Sequence, residues 1–163
     1  FAERAQWEEE GWSIRSTVDE LVREFEDWHP EVCGFLAAVP PELLFKWGLF
    51  DREPLSSWCR GRVGLLGDAA HPILPFLGHG AVLAIEDAIV LGRAFAESAT
   101  VAEALSRYEA ARMGRASFAV RDSRQDVKIF HSHEPEKYAQ KTGGKAADER
   151  LGLFDYNPTN VPV

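Results

Sequence analysis

The sequence predicts an α/β fold, and three neighbouring stretches of its 163 residues carry that prediction. They are an apolar run at Val63-Gly64-Leu65-Leu66, a loop punctuated by proline and glycine from Gly67 to Gly80, and an apolar helical stretch from Ala81 to about Phe95. The run has no polar alternation, which is the pattern of a strand covered on both faces. Gly67 ends it, so Asp68 projects from a strand's carboxyl end, the edge where open α/β sheets place ligands. A carboxylate there can accept hydrogen bonds from sugar or polyol hydroxyls. Asp after Gly also caps turns for local reasons, and both readings stand at this point.

The loop stiffens at Pro72 and Pro75, while Gly78 and Gly80 permit close approach or positive φ just before a helix that starts near Gly80. The first amides of such a helix have no internal acceptor, and its dipole favours negative charge. An anion or an electron-rich carbonyl oxygen can therefore sit there. The helix itself is apolar on nearly every side, through Val82, Leu83, Ile85, Ala88, Ile89, Val90, Leu91 and Ala94. Burial between other elements is the expectation for it.

The remaining elements follow in chain order. Ser16 or Thr17 caps a helix with Val18, Leu21, Val22, Phe25 and Trp28 on one face, and His29-Pro30 ends it. Glu31 to Val39 reads as a short second helix, broken by Pro40-Pro41. Leu43 to Phe50 reads as a strand and is a candidate partner for Val63 to Leu66, with an incomplete sheet expected from this chain alone. A long helix spans Val101 to about Phe130, partly burying Leu105, Tyr108, Arg112, Phe118, Val120, Val127 and Phe130. Gly143-Gly144 marks a flexible break, and Leu151 to Val163 is a tail rich in turn residues.

The segment Gly61 to Ala88 resembles the second flavin-binding motif of the FAD-dependent aromatic-ring hydroxylases, near the salicylate hydroxylase branch of the single-component flavoprotein monooxygenases. Gly67, Asp68, Ala69, Ala70, His71, Pro72, Pro75, Gly80, Glu86, Asp87 and Ala88 carry the likeness. Leu49-Phe-Asp-Arg-Glu-Pro-Leu-Ser-Ser-Trp58 upstream and Ala104-Leu-Ser-Arg-Tyr-Glu-Ala-Ala-Arg112 downstream, with Arg115 beyond it, resemble flanking family segments in the same order. The resemblance implies the C-terminal part of a FAD/NAD(P)-binding Rossmann-like flavoprotein hydroxylase fold. It divides the chain into 1–58, the end of a substrate-binding domain; 59–99, the FAD-binding strand, loop and helix; and 100–163, a C-terminal helix and tail.

By motif carry-over, Gly67 and Asp68 belong to the FAD site, with Asp68 on the ribityl chain and Pro75 beside the isoalloxazine. The backbone near Gly78, Gly80, Ala81 and Val82 faces the pyrimidine end. His79 stands where relatives often carry Gln, and reaches the flavin edge or solvent. His71 orients the loop by hydrogen bonding. The implied reaction is hydroxylation of a phenolic or heteroaromatic small molecule with NAD(P)H and O2. Neither the Gly-x-Gly-x-x-Gly fingerprint nor the mid-chain Asp-Gly motif of the family occurs in the sequence. The expectation is a C-terminal piece that needs a separate N-terminal FAD-binding half and, alone, takes up FAD weakly or not at all. A halogenase or reductase of the same fold, and a non-catalytic interaction module, are the alternatives. Leu44, Phe45, Trp47 and Leu49 are candidates for one pocket wall, and no catalytic base is assigned.

Composition narrows the field further. A net charge of −8 disfavours nucleic acid as a partner. Arg112, Arg115, Arg121 and Arg124 recur at helical spacing; a solvated face paired with Glu109 and Asp122 is the favoured reading, contact with FAD phosphates the other. Cys33 and Cys59 have neither metal-ligand nor scaffold spacing, which fits a reducing cytoplasm, and no apolar run is long enough to span a bilayer. His131, His133 and Glu134 do not share a helix face, so no metal site is assigned. His29 has a capping or packing role as readily as a substrate contact.

Overall fold

A computed structural model describes residues 9–130, 136, 152 and 155–163, with no account of the side chains of 128–130. His131, His133, Glu134, Gly143, Gly144, the Phe130 side chain and the stretch opening at Phe1 lie outside the described residues. The chain divides into two compact units, 1–49 and 50–163. Among the described residues, no helix is long and apolar enough to cross a membrane.

The first unit contains strand β1 (Ile14–Arg15), helix α1 (Val18–Glu24), helix α2 (Pro30–Ala37), a 3-10 turn at Pro41–Leu43 and strand β2 (Phe45–Lys46). Thr17 caps α1, its hydroxyl accepting from the Glu20 amide at 3.1 Å. The helix ends at Glu24, earlier than His29-Pro30 would end it, because Phe25 leaves helical geometry at φ −123°. His29 instead caps α2, its Nδ1 accepting from the Glu31 amide at 3.3 Å. The strand expected over Leu43 to Phe50 shrinks to β2. Its partner is β1, antiparallel with Arg15 opposite Phe45, and not the Val63 region. Arg15 secures this pair, its guanidinium lying 4.5 Å from the Phe45 ring centroid and donating to the Glu42 carbonyl at 2.6 Å. Phe45, Trp47 and Leu49 are all partly exposed.

The second unit begins with a hairpin, strand β3 (Cys59–Arg60) paired antiparallel with strand β4 (Val63–Gly64). Gly61 turns it at φ +64°, where a residue with a Cβ is strained. β4 corrects the expected strand twice. It covers only the first half of Val63 to Leu66, and it is not buried on both faces, since Val63 is 67% exposed. Leu65 of the run packs against the core, while nothing among the described residues covers Val63.

Helix α3 (Gly80–Ala96) and helix α4 (Val101–Phe130) pack on each other and supply most of the core. Trp58, Ala70, Val90, Ala94, Tyr108 and Ala116 form one cluster, and Leu83 with Ala119 forms a second against Ile73, Leu77 and Phe118. Small residues on α4 admit the partner helix closely. Gly64 has the same use, because a Cβ there would lie 2.8 Å from Leu105 Cδ2. Glu109 joins the hairpin to α4 by accepting from the Trp58 amide, the Cys59 amide and the Ser57 hydroxyl. Burial alone would raise its pKa, but those donors hold the carboxylate below the ordinary range. The same burial and the nearby Glu109 charge push the Cys59 thiol up.

α3 departs from its expected burial on every side. Ile85 is 62% exposed, Phe95 45% and Val82 44%, while Glu86 and Asp87 are buried. Its inner face meets arginines on α4, and those fix which residues turn inward.

Candidate functional site

After β4 the chain enters a 3-10 turn at Gly67–Ala69, in which Ala70 and His71 donate their amides to the Gly67 carbonyl at 2.8 and 2.9 Å. Gly67 is buried at φ +58°, and a Cβ on it would come 3.2 Å from the Ala84 Cβ. The turn therefore lies directly against α3. Asp68, at the middle of the turn, is exposed. Arg52 donates to the carbonyls of Ala69 and Ala70 and so grips the turn from the side opposite its own amides.

A second 3-10 turn, Pro75–Leu77, leads to Gly78 in the left-handed region at φ +66°. Space is open where a Cβ on Gly78 would stand. Ser123 on α4 donates to the Leu74 carbonyl at 2.8 Å and anchors the entry to this turn. Gly80 then begins α3, and a Cβ on it would meet Ile73 Cγ2 at 3.3 Å. His79 at the N-cap makes no side-chain cap hydrogen bond, and its carbonyl accepts from the Leu83 amide at 2.9 Å. Its ring is buried, with Nδ1 2.6 Å from the Leu77 carbonyl oxygen. Burial excludes the solvent-facing arrangement left open for it. Pro75, Gly78, Ala81 and Val82 are exposed.

Beneath this surface lies a buried charge cluster. Arg112 Nε donates to Asp87 Oδ1 at 2.7 Å, and Arg112 also pairs with Glu86 Oε2 at 2.7 Å. Arg115 forks onto both Glu86 oxygens at 2.8 and 2.7 Å. Tyr156 stacks on the pair from outside, 3.9 Å from the Arg115 guanidinium and 5.0 Å from that of Arg112. These contacts correct the reading of Arg112 and Arg115 as a solvated face. Arg124 pairs with Asp51 and Glu53, and Arg121 alone of the four is fully exposed.

Electrostatics follow from the geometry. Burial would raise the Asp87 pKa, yet hydrogen bonds from His71, Arg112 and the Gly67 amide carry it below the ordinary carboxylate value. For Arg112, burial works against the charge and the pairing with Asp87 overcomes it, so its pKa is raised. Tyr108, buried beside the Asp87 charge, is pushed well up and donates its hydroxyl to the Leu65 carbonyl at 3.1 Å. The turn and the helix start thus rest on a buried ionic layer, in which Arg112 Nη1 has no hydrogen-bond partner among the described residues, while Asp68 is exposed.

The structure brings Gly67 and Asp68 onto one turn, and Pro75, Gly78, His79, Gly80, Ala81 and Val82 onto a loop and helix start packed beside it. Asp87, Arg112, Glu86 and Arg52 were not singled out as site residues from sequence. The available signal was the pair Glu86-Asp87 inside an otherwise apolar helical stretch, which needs buried cations to neutralise it.

Comparison with known proteins gives the family of the chain. The chain is 37% identical over 147 residues to a 3-amino-4-hydroxybenzoate 2-monooxygenase of Streptomyces platensis, covering 90% of this chain and 37% of that protein. It is 38% identical over 133 residues to the 6-hydroxynicotinate 3-monooxygenase of Bordetella bronchiseptica, covering 80% and 34%. Among solved structures, Klebsiella pneumoniae HpxO complexed with FAD and uric acid superposes with a TM-score of 0.67 at 33% identity, covering 86% of this chain and 38% of that one. A salicylate hydroxylase substrate complex matches with a TM-score of 0.67 at 27% identity, covering 95% and 39%. The chain therefore spans a little over a third of the length of such relatives. Residues 4–123 match the model of the FAD binding domain, and the chain belongs to that family, whose members among these relatives are aromatic-ring monooxygenases.

Proposed function

We propose that the turn at Asp68 and the start of α3 form one half of a FAD site in an aromatic-ring hydroxylase that uses NAD(P)H and O2. The observation that carries this reading is the pairing of an exposed carboxylate with an adjacent helix start that has no side-chain cap hydrogen bond and whose Ala81 and Val82 are exposed. Asp68 accepts from ribityl hydroxyls, and Pro75 flanks the isoalloxazine. The amides at Gly80, Ala81 and Val82, with the Gly78 backbone, face the pyrimidine end and favour negative charge there. Open space over Gly78 suits a flat ligand lying close to backbone. FAD, when bound, supplies the redox chemistry; this chain binds and orients it.

The adenosine and pyrophosphate part of the cofactor needs further protein, and the exposed stripe of Val82, Ile85 and Phe95 on α3 is a surface suited to it. The names of the relatives support a phenolic or heteroaromatic substrate. Backbone-amide NMR of the chain titrated with FAD tests the site. Shifts confined to Asp68, Ala69 and Gly80 to Val82 are expected, with a dissociation constant of about 1 mM, roughly 4 kcal/mol. No response at those amides overturns the assignment. In the complete holoenzyme, flavin reduction by NAD(P)H without an oxygenated product from any phenol or hydroxypyridine would remove the hydroxylase reading.

A further inference from the structure

One carboxylate ties both ends of the turn that carries Asp68. Asp87 Oδ2 accepts from the Gly67 amide at 3.0 Å and lies 2.6 Å from His71 Nε2. Its other oxygen is held by Arg112. Gly67 and His71 bracket Asp68, Ala69 and Ala70, and Asp87 itself stands on α3, whose first turn is the other side of the cradle. The two sides are thus registered on a single buried group. His71 is 3% exposed against Trp58, at a ring-centroid distance of 5.3 Å, and its Nδ1 has no partner among the described residues. A proton on Nδ1 would be a buried donor with nothing to receive it, so the proton belongs on Nε2, where it is donated to Asp87.

We propose that His71 and Asp87 are positioning residues that set flavin affinity by holding Asp68 at a fixed distance and angle from the start of α3. This rests on the reading of the cradle as a FAD site. Loss of the His71 side-chain bond removes one of the two donors to Oδ2 and leaves the carboxyl end of the turn held by its own amide bonds and by Arg52, so that binding must restore its register with α3. The groups around His71 and Asp87 are Arg112 and Tyr108 from α4, Glu86 from α3 and Trp58 from the hairpin side; the Tyr108 hydroxyl is committed to the Leu65 carbonyl and Arg112 Nε to Asp87 Oδ1, while Arg112 Nη1 has no partner among the described residues.

The test compares His71→Phe, which keeps the ring and removes the donor, with His71→Gln, which returns a donor at nearly the same reach. His71→Phe should speed hydrogen exchange at the Gly67 amide and weaken FAD binding about tenfold; His71→Gln should restore both. Loss confined to His71→Gln means that ring packing on Trp58 is the cause, and unchanged FAD shifts in both folded variants remove the role altogether. Either result overturns the proposal while the FAD reading stands, whereas a wild-type chain silent toward FAD sinks both. Imidazole nitrogen NMR of the wild type supplies a readout that needs no variant to fold: Nε2–H at neutral pH is expected, and Nδ1–H overturns the proposal.

Discussion

The two faces of α3 invert the ordinary rule of burial. Its inner face buries Glu86 and Asp87 among Leu83, Val90 and Ala94, while Val82, Ile85 and Phe95 look outward. Hydropathy alone would place the carboxylates outside and Ile85 inside. What decides the matter is partner chemistry: Arg112 and Arg115 on α4 reach the carboxylates at 2.7 Å, and Ala116 and Ala119 let the helices come close enough for that. The inner face is therefore specific in a way an apolar contact is not, because each oxygen demands a donor at a set place. The outer face makes no such demand on this chain.

Breaking the inner face should have the largest consequence. Arg112→Met keeps volume but leaves Asp87 without its guanidinium and Glu86 with Arg115 alone, and removal of one partner from a buried ionic group costs about 3–5 kcal/mol. Urea unfolding measures this; a loss below about 1 kcal/mol would mean that the cluster is not the structural centre of the helix pair. Acid should act on the same layer. Asp87 has a depressed pKa in the folded state, so its stabilisation is complete above the unfolded carboxylate value of about 4 and is lost as pH falls toward its folded value. Glu109 contributes with the same sign. Unfolding midpoints should thus drop between neutral pH and pH about 3, with a shallower drop in Asp87→Asn, whose starting stability is already reduced.

The contrast between the faces also marks where the sequence was readable. Local signals were: the Thr17 cap, the Gly80 start of α3, the extent of α4, and the His29 cap all depend on residues within a turn of one another. So were the backbone markers of the site, since Gly67, Gly78 and Gly80 each stand where a Cβ is strained or crowded. Pairings at distance were not. β1 and β2 hold only two residues each, too few for any periodicity, and Arg112 meets Asp87 across 25 residues of chain. Spacing on α4 alone could not tell a solvated arginine face from a buried one, because the answer sits on α3. The run Val63 to Leu66 misled for the converse reason: its apolar residues report a covered environment, and nothing among the described residues covers Val63.

Gly78 precedes α3 in the loop, and its substitution should have an intermediate effect. Gly78→Ala meets no atom within 4 Å, so its cost is that of the left-handed backbone at φ +66°, about 1 kcal/mol. A melting curve indistinguishable from wild type would show that the loop can relax, and with it the approach to the α3 start.

The smallest expected effect on the chain itself sharpens the comparison most. Ile85→Ser exchanges an apolar for a polar side chain on the 62%-exposed outer face, and substitution at such a position changes stability by no more than about 0.5 kcal/mol. Urea unfolding that moves by several times this amount would mean that Ile85 already packs in the isolated chain and that the two faces are not opposites. If stability holds, the same variant separates an idle surface from a working one. Sedimentation of the chain with a polypeptide carrying the pyrophosphate-binding half should show association for the wild type and its weakening for Ile85→Ser. Equal association would leave the outer stripe without a part in completing the FAD site and move that role to the hairpin edge at Val63.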